Sequence, residues 1–389
     1  AGLLIFLIIL LQPIYLKWLG YDSQPAAAIE DSVVLSEPGE INNTSYPELK
    51  NQKFIDSVVN SEIPESFITL ITPLYSATIS NRSGGSLERF ILTQVDNTNY
   101  KYRGSYDENG FYNDNQPVSL ILSTKDSCLP CLAVYNDMTG QYEHINAPFR
   151  LVSFLGKSDT LFLSPSESIE LSYVLNDSDG NVLVEKLISF SADNFIIQHN
   201  FTVNENYFDY VNSLELLWSG GLRPTEENPD EDVQYGSGII SQAGEIEDVQ
   251  TTSPDKNIIR TIYNGTTDWV AVRSKYFISA LLLDSPGSFA MLSAENMPFG
   301  DRAQTPLYHV SAGFPLDASS VSARVYLGPL DVDYISKTGT TLDDTMNWGW
   351  AIIRPISKGI LWVLKFMHNA LHLNYGIVLL LFALLIRLI

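Results

Sequence analysis

Cysteine, histidine and basic side chains are scarce in this chain, and each shortage closes off a class of function. The two cysteines, Cys128 and Cys131 in "SCLPCL", are too few for a disulfide framework in 389 residues. Their C-x-x-C spacing could supply half a zinc site, but no second C-x-x-C completes it. A redox pair of the thioredoxin kind needs a βαβ setting, and this region reads as loop and strand. What remains is a local disulfide in an oxidising compartment, or two inert thiols. With five histidines, catalytic material is thin. His368 and His372 fall in a helical stretch, and His144 and His309 have no sequence-local partner that suggests a triad. His199 alternates with Phe195, Ile197, Phe201 and Val203, so it is expected to sit hydrogen-bonded in a core. No G-x-S-x-G and no phosphate-cradling glycine loop is present. Nothing here demands an enzyme, a metal or a cofactor.

Charge is just as lopsided. The chain carries 23 basic and 45 acidic residues, a net of −22. Residues 1–19 hold only Lys17, and residues 346–389 hold Arg354, Lys358, Lys365 and Arg387 with no acid. The intervening residues 20–345 therefore carry 18 bases against 45 acids, a net of −27. An acidic middle between basic, apolar ends argues against nucleic acid and fits a solvated domain held to a membrane at both ends.

The ends bear this out in composition. The opening "AGLLIFLIILLQPIYLKWLG" begins without an initiator Met, so residues are expected upstream. It closes in Tyr15, Lys17 and Trp18, residues that favour the bilayer–water interface. A signal peptide is the competing reading, because "QPAAAIE" places Ala26 and Ala28 in an A-x-A arrangement. Near the other end, Ile353, Ile356, Ile360, Leu364, Met367 and Leu371 recur at spacings of three and four. Arg354, Lys358, Lys365, Asn369 and His372 take the other face, with Trp362 available to an interface. This is an amphipathic helix suited to lie on anionic lipid, although a helix covering a soluble core has similar periodicity.

Gly376–Ile386 then forms an unbroken apolar run, which a soluble helix cannot easily hide. If a spanning helix starts near Asn374, Arg387 lies about 20 Å along it, within a hydrocarbon core of about 30 Å. Arginine at mid-bilayer costs about 2.5–3.5 kcal/mol on insertion scales. Two placements remain open: facing a wet cavity or a partner, or snorkelling to an interface.

The middle reads as β structure. Residues 22–65 carry nine acids and two bases among scattered Pro, Ser and Asn, and read as a disordered tether. From about residue 66, "SLERFILT", "VSLILST", "LVEKLISF", "NFIIQHNFTV", "DWVAVRSKYFISALLL" and "SARVYLGPL" are the clearest strands. In the last, Val321, Ala323, Val325 and Leu327 alternate with Ser322, Arg324 and Tyr326, predicting a half-buried strand. With no helical stretch between them, these strands imply an antiparallel sandwich of sheets. "GGLRPTEENPDEDVQ" and "AGEIEDVQTTSPDK" read as exposed loops, and their acids match no EF-hand spacing.

Taken in order, these parts resemble the YidC family of membrane protein insertases, of the bacterial inner-membrane type with a large periplasmic domain. The likeness is carried by "TPLYSATISNRSGGSLERFIL" with Gly84 and Gly85, and by "DWVAVRSKYFISALL" with Trp269, Val270, Ala271, Tyr276 and Phe277. "YLGPLDVDYI", "MNWGWAIIRPISKGILWVLKFMH" and "YGIVLLLFALLIRLI" extend it to the C-terminus, so that only the tether lies outside it.

The resemblance implies a mainly β periplasmic domain of the β-supersandwich, galactose-mutarotase-like kind. It divides the chain into an N-terminal transmembrane helix over 1–19, the tether over 20–65, and the β domain over 66–340. A linker and interfacial amphipathic helix come next over 341–373, then the start of a first core transmembrane helix over 374–389. It implies a multi-pass inner-membrane protein in which Arg387 faces a hydrophilic substrate groove, while Arg354, Lys358, Trp362 and Lys365 belong to the interfacial helix. It also implies nascent membrane proteins, the lipid bilayer and the Sec translocon as partners, without covalent chemistry or cofactor. Because further helices would complete the groove, residues 1–389 alone are not expected to insert substrates. A different class stays open: a membrane-tethered carbohydrate-binding or mutarotase-like protein, which would need a histidine and a carboxylate converging in an open cleft.

Overall fold

The computed structural model describes residues 63–388, apart from 97, 108–109, 123–126, 137–140, 145–146, 154–157, 178, 205–213, 252–257, 300–301, 316–318 and 347–352. The helix expected over 1–19 and nearly all of the tether expected over 20–65 lie outside the described residues. By residue 64 the chain is already tied to the β domain: Asn81 Nδ2 donates to Pro64 O at 3.1 Å, and Glu65 pairs with Arg82 at 2.8 Å.

A first, four-stranded sheet is built from β1 (Phe67–Ile71), β2 (Tyr75–Ser80) and β3 (Ser86–Leu92), with Thr160–Phe162 parallel to β1. Thr72 makes the β1–β2 turn by donating its hydroxyl to Tyr75 O at 2.9 Å and accepting from the Leu74 and Tyr75 amides. The β2–β3 turn explains the paired glycines. Gly84 and Gly85 have φ of +66° and +98°, and a Cβ on Gly85 would lie 2.3 Å from Ile188 Cδ1. Both the left-handed backbone and the close approach to the core exclude a side chain. Gly85→Ala is expected to destabilise the domain by about 2–4 kcal/mol in a urea titration, whereas Ala at Gly180, which is open and strained only by its φ of +88°, should cost about 1–2 kcal/mol.

After a hairpin of β4 (Arg103–Tyr106) and β5 (Tyr112–Pro117), most remaining strands join one hydrogen-bonded path. Besides the short end strands Gln141–His144 and Arg150–Leu151, its members in chain order are β6 (Cys131–Asn136), β7 (Ser168–Asn176), β8 (Val182–Ser191), β9 (Ile196–Val203) and β10 (Leu214–Trp218). They continue as β11 (Ser237–Gln242), β12 (Glu245–Val249), β13 (Ile258–Arg273), β14 (Phe277–Phe299), β15 (Arg302–Phe314) and β16 (Ser320–Pro329). The long strand β14 organises this path. Its first part, Phe277–Leu283, pairs with β16, and its second, Phe289–Phe299, pairs with β15. β13 runs antiparallel to both parts and is bulged where β14 changes partner. Trp218, Trp269, Tyr75, Tyr326, Phe90 and Phe195 are the large side chains of a core shared by these strands and the first sheet.

The mainly β class read from the sequence holds, with local differences. In "VSLILST", Val118–Ile121 are buried and bonded to β3 through Leu92 N–Val118 O (2.9 Å) and Leu120 N–Phe90 O (2.8 Å), but form only an isolated bridge. Tyr326, expected on the solvent face of β16, is fully buried, because Phe195 and the chain after β16 cover that face. "GGLRPTEENPDEDVQ" is not simply an exposed loop. Gly220, Gly221, Leu222 and Thr225 are buried, and Asn228 caps a short helix α1 (Pro229–Tyr235). Cys128 and Cys131 are joined as a disulfide and buried with Ala133, Leu217 and Met291.

The core also holds a charge that periodicity did not announce. Lys186 on β8 is fully buried, and its ammonium donates to Ser83 O at 3.1 Å and Pro130 O at 3.0 Å, 4.7 Å from the Phe201 ring centroid. It thereby ties the Gly84–Gly85 turn to the Cys128–Cys131 loop, and burial pushes its pKa down to about 7. His199 is as buried as expected, but its ring nitrogens have no hydrogen-bond partner among the described residues. Burial and the neighbouring Lys186 hold this imidazole well below its ordinary value, hence neutral.

Candidate functional site at the end of the β domain

Where β16 ends, the Tyr326 hydroxyl donates to Pro329 O at 2.6 Å, and Asp331 caps a one-turn helix α2 (Val332–Ile335) by accepting from the Asp333 amide. Two 3-10 turns, Ser336–Thr338 and Thr341–Thr345, come next. The β domain grips them from below. Arg324 donates to Thr338 O at 2.7 Å, Trp269 Nε1 to Thr341 Oγ1 at 3.1 Å, and Arg273 to Thr345 O at 2.9 Å. The tryptophan and arginine of the "WVAVR" stretch therefore anchor the exit from the domain.

The amphipathic helix is present as α3 (Arg354–Leu371), with Pro355 in its first turn, where no amide bond is lost. Two of its predicted basic residues face back to the domain: Lys358 pairs with Asp343 at 2.8 Å, and Lys365 with Asp333 at 2.7 Å and Asp331 at 3.7 Å. The Arg354 side chain lies outside the described residues. Pointing away are Ile356, Ile360, Trp362 and Phe366, all exposed, with the Trp362 and Phe366 rings stacked at 5.7 Å. The stripe ends in an elbow: His372 adopts φ +50°, Asn374 accepts from the Gly376 amide at 2.7 Å, and His368 stacks on Tyr375 at 4.1 Å.

Beyond the elbow, α4 (Tyr375–Leu388) leaves at 120° to α3. Its 14 residues give about 21 Å of length, short of a bilayer core of about 30 Å. Among the described residues no single helix is long and apolar enough to cross a membrane, but the bent pair passes that test of length and composition. Arg387 is the sole charged residue of α4, exposed in its last turn. The structure thus brings Lys358, Trp362 and Lys365 together on one helix and sets Arg387 apart on the next.

A polar group inside the sheet went unforeseen. Glu215, buried in the otherwise apolar "LELLW" of β10, accepts from Arg260 at 3.0 Å and from Ser311 at 2.5 Å. The isolated acid among leucines is the signal that could have flagged it. On β14 and β15, Glu295 lies 3.4 Å from His309 Nε2, which lowers the Glu295 pKa. This is the histidine–carboxylate pair a mutarotase-like reading asks for, yet the imidazole is already used on both sides. Nδ1 accepts from the Gly220 amide at 3.3 Å, leaving the Nε2 proton directed at Glu295. No ring lone pair is left to act as a base. Among the described residues no group of three or more side chains could hold a metal ion.

Comparison with known proteins gives these features a context. A family model for the YidC periplasmic domain matches residues 67–363. The chain is 27% identical to a membrane protein insertase YidC of Chlorobium phaeovibrioides, covering 98% of this chain and 63% of that protein. It is 26% identical to the YidC of Prosthecochloris aestuarii over 71% of this chain and 51% of that one. The chain thus spans between half and two-thirds of the length of these relatives. Among solved structures, a candidate aldose 1-epimerase from Escherichia coli K12 aligns over 68% of this chain and 99% of its own, at 10% identity and a TM-score of 0.33. A similarity that low carries no functional inference.

Proposed function

The chain belongs to the YidC family, and from that premise we propose that the full-length protein assists insertion and folding of inner-membrane proteins, with its β domain in the periplasm. The observation that carries the reading is the order of parts at the C-terminus: a β domain gripping its exit segment, a helix with an exposed apolar stripe, an elbow, and an apolar helix with one arginine. The acidic β domain and its buried disulfide fit a compartment outside the cytoplasm.

In this reading α3, through Ile356, Ile360 and Trp362, lies in the bilayer surface, and Arg354 belongs to the same interfacial helix. Lys358 and Lys365 fix the β domain's orientation to it. α4 enters the bilayer, so the protein is multi-pass once its remaining helices are counted. Arg387 then faces a hydrophilic groove open to lipid, where its charge attracts polar or acidic parts of a nascent chain while the apolar segment partitions into lipid. No covalent bond changes, and the Sec translocon is a partner for some substrates.

The test is insertion in cells depleted of their own insertase, scored by protease accessibility of a small membrane protein. Full-length wild type is expected to restore insertion, and Arg387→Ala to reduce it about tenfold or more, with Arg387→Lys in between. Equal insertion by wild type and Arg387→Ala would leave the family intact and remove Arg387 from the groove. A well-expressed wild type that inserts nothing would remove the insertase reading.

A further inference from the structure

Between α3 and the end of the β domain lies a cavity of about 500 Å³, within the size range of small-ligand sites. Its floor is apolar around Phe277, and its rim carries three cations, Lys101, Arg103 and Lys365, against two carboxylates, Glu226 and Asp331. Lys365 is held by Asp333 at 2.7 Å beside the rim, so the charges balance in number and what distinguishes the rim is which of its cations are paired. Its cations are not all spent on its acids. Arg103 is exposed, and its side chain has no hydrogen-bond or ion-pair partner among the described residues. Lys101 is 3.8 Å from Asp331 and is held over the rings of Tyr102 and Tyr334 at 5.0 and 5.6 Å. Such a rim suits an anionic group, and an arginine fork suits a phosphate in particular.

The cavity's position narrows the choice. Leu361 and Lys365 of α3 form one wall. Through Lys365 the cavity adjoins an open depression bounded by Trp362, Phe366, Asn369 and Ala370, at the C-terminal part of the exposed apolar stripe. Anionic chemistry and an uncovered apolar surface therefore meet at one residue, which is the layout of an amphiphile.

We propose that this cavity holds the phosphate headgroup of a membrane phospholipid, with Arg103 and Lys101 on the phosphate and the acyl chains leaving along Trp362 and Phe366. The inference rests on the reading of α3 as lying in the bilayer surface. A free phosphate offers the same head chemistry without the tail, and the test separates the two.

Full-length protein is reconstituted in nanodiscs of mixed phosphatidylethanolamine, phosphatidylglycerol and phosphatidylcholine, and the lipid retained on release is counted by native mass spectrometry. In parallel, quenching of Trp362 fluorescence by brominated lipid, taken as the difference from Trp362→Phe, reports whether α3 is in the bilayer. Wild type is expected to retain phospholipid, Arg103→Glu to retain about tenfold less, as loss of a charge-assisted hydrogen bond implies, and Arg103→Lys to recover most of it. Trp362 quenching should be the same in all three.

Equal retention in wild type and Arg103→Glu, with Trp362 quenched, overturns the headgroup site and leaves α3 at the bilayer. Absent quenching in wild type overturns the α3 reading itself, and the proposal with it. If no lipid is retained while inorganic phosphate binds with the same dependence on Arg103, or while a nascent chain cross-links to position 103, the lipid assignment is overturned.

Discussion

Raising the pH from about 7 to about 9.5 is expected to stabilise the wild-type chain by about 3 kcal/mol more than it stabilises Lys186→Met. The sign comes from where the proton sits. Burial lowers the folded pKa of Lys186 to about 7, while the unfolded side chain keeps its ordinary value near 10.5. Between those values the unfolded chain binds more protons than the folded one, so stability rises with pH across that window and levels off below it. The groups facing Lys186 do not cancel this. His199 is held neutral, and Tyr173, opposite on β7, stays protonated because burial raises its pKa.

Lys186→Met removes the titration but withdraws the ammonium donor from Ser83 O and Pro130 O, at a cost of about 1–3 kcal/mol. The two proteins should therefore be nearest in stability around neutral pH and diverge in favour of wild type as pH rises. Urea unfolding at both pH values measures the difference, with the other titrating groups common to both. Parallel profiles would mean that Lys186 keeps an ordinary pKa, and with it some route to water.

Trp269→Ala should cost about 3–5 kcal/mol in the same assay, among the largest single-residue losses in the domain. The indole is 1% exposed in the core where β13 meets β14. Its loss removes a large packed volume and the hydrogen bond to Thr341, which opens the turn feeding α3. Trp269→Phe separates these contributions: it keeps part of the volume and loses the bond. It should cost roughly half as much while speeding amide exchange at residues 341–346 beyond the change in global stability. Unchanged exchange there would mean that Arg273 and Arg324 hold the exit without help from Trp269.

These two residues differ in how far sequence reading reaches. Trp269 lies in a β-branched stretch whose resemblance to the family was visible, and Val270, Ala271 and Val272 beside it are buried as well. The alternation in β16 likewise placed Val321, Ala323 and Val325 inward, and failed at Tyr326 because a neighbouring segment covers a face the pattern assigns to water. Gly84 and Gly85 could be recognised as a motif, but the reason for them, Ile188 and Phe149 against the turn, lies far along the chain.

By itself the sequence determined the mainly β class, the amphipathic helix, the apolar helix with its arginine, and the acidic character of the domain, because each depends on composition or on a period within one element. Only the tertiary structure decided which lysines of α3 turn toward Asp331, Asp333 and Asp343, that Lys186 bridges two turns through the core, that Glu215 is met by Arg260, and that a cation-rimmed cavity opens beside Trp362. Each of these is an encounter between residues distant in the chain, and electrostatics and hydrogen bonding act over a few ångströms in space, a distance that periodicity in one strand or helix does not encode.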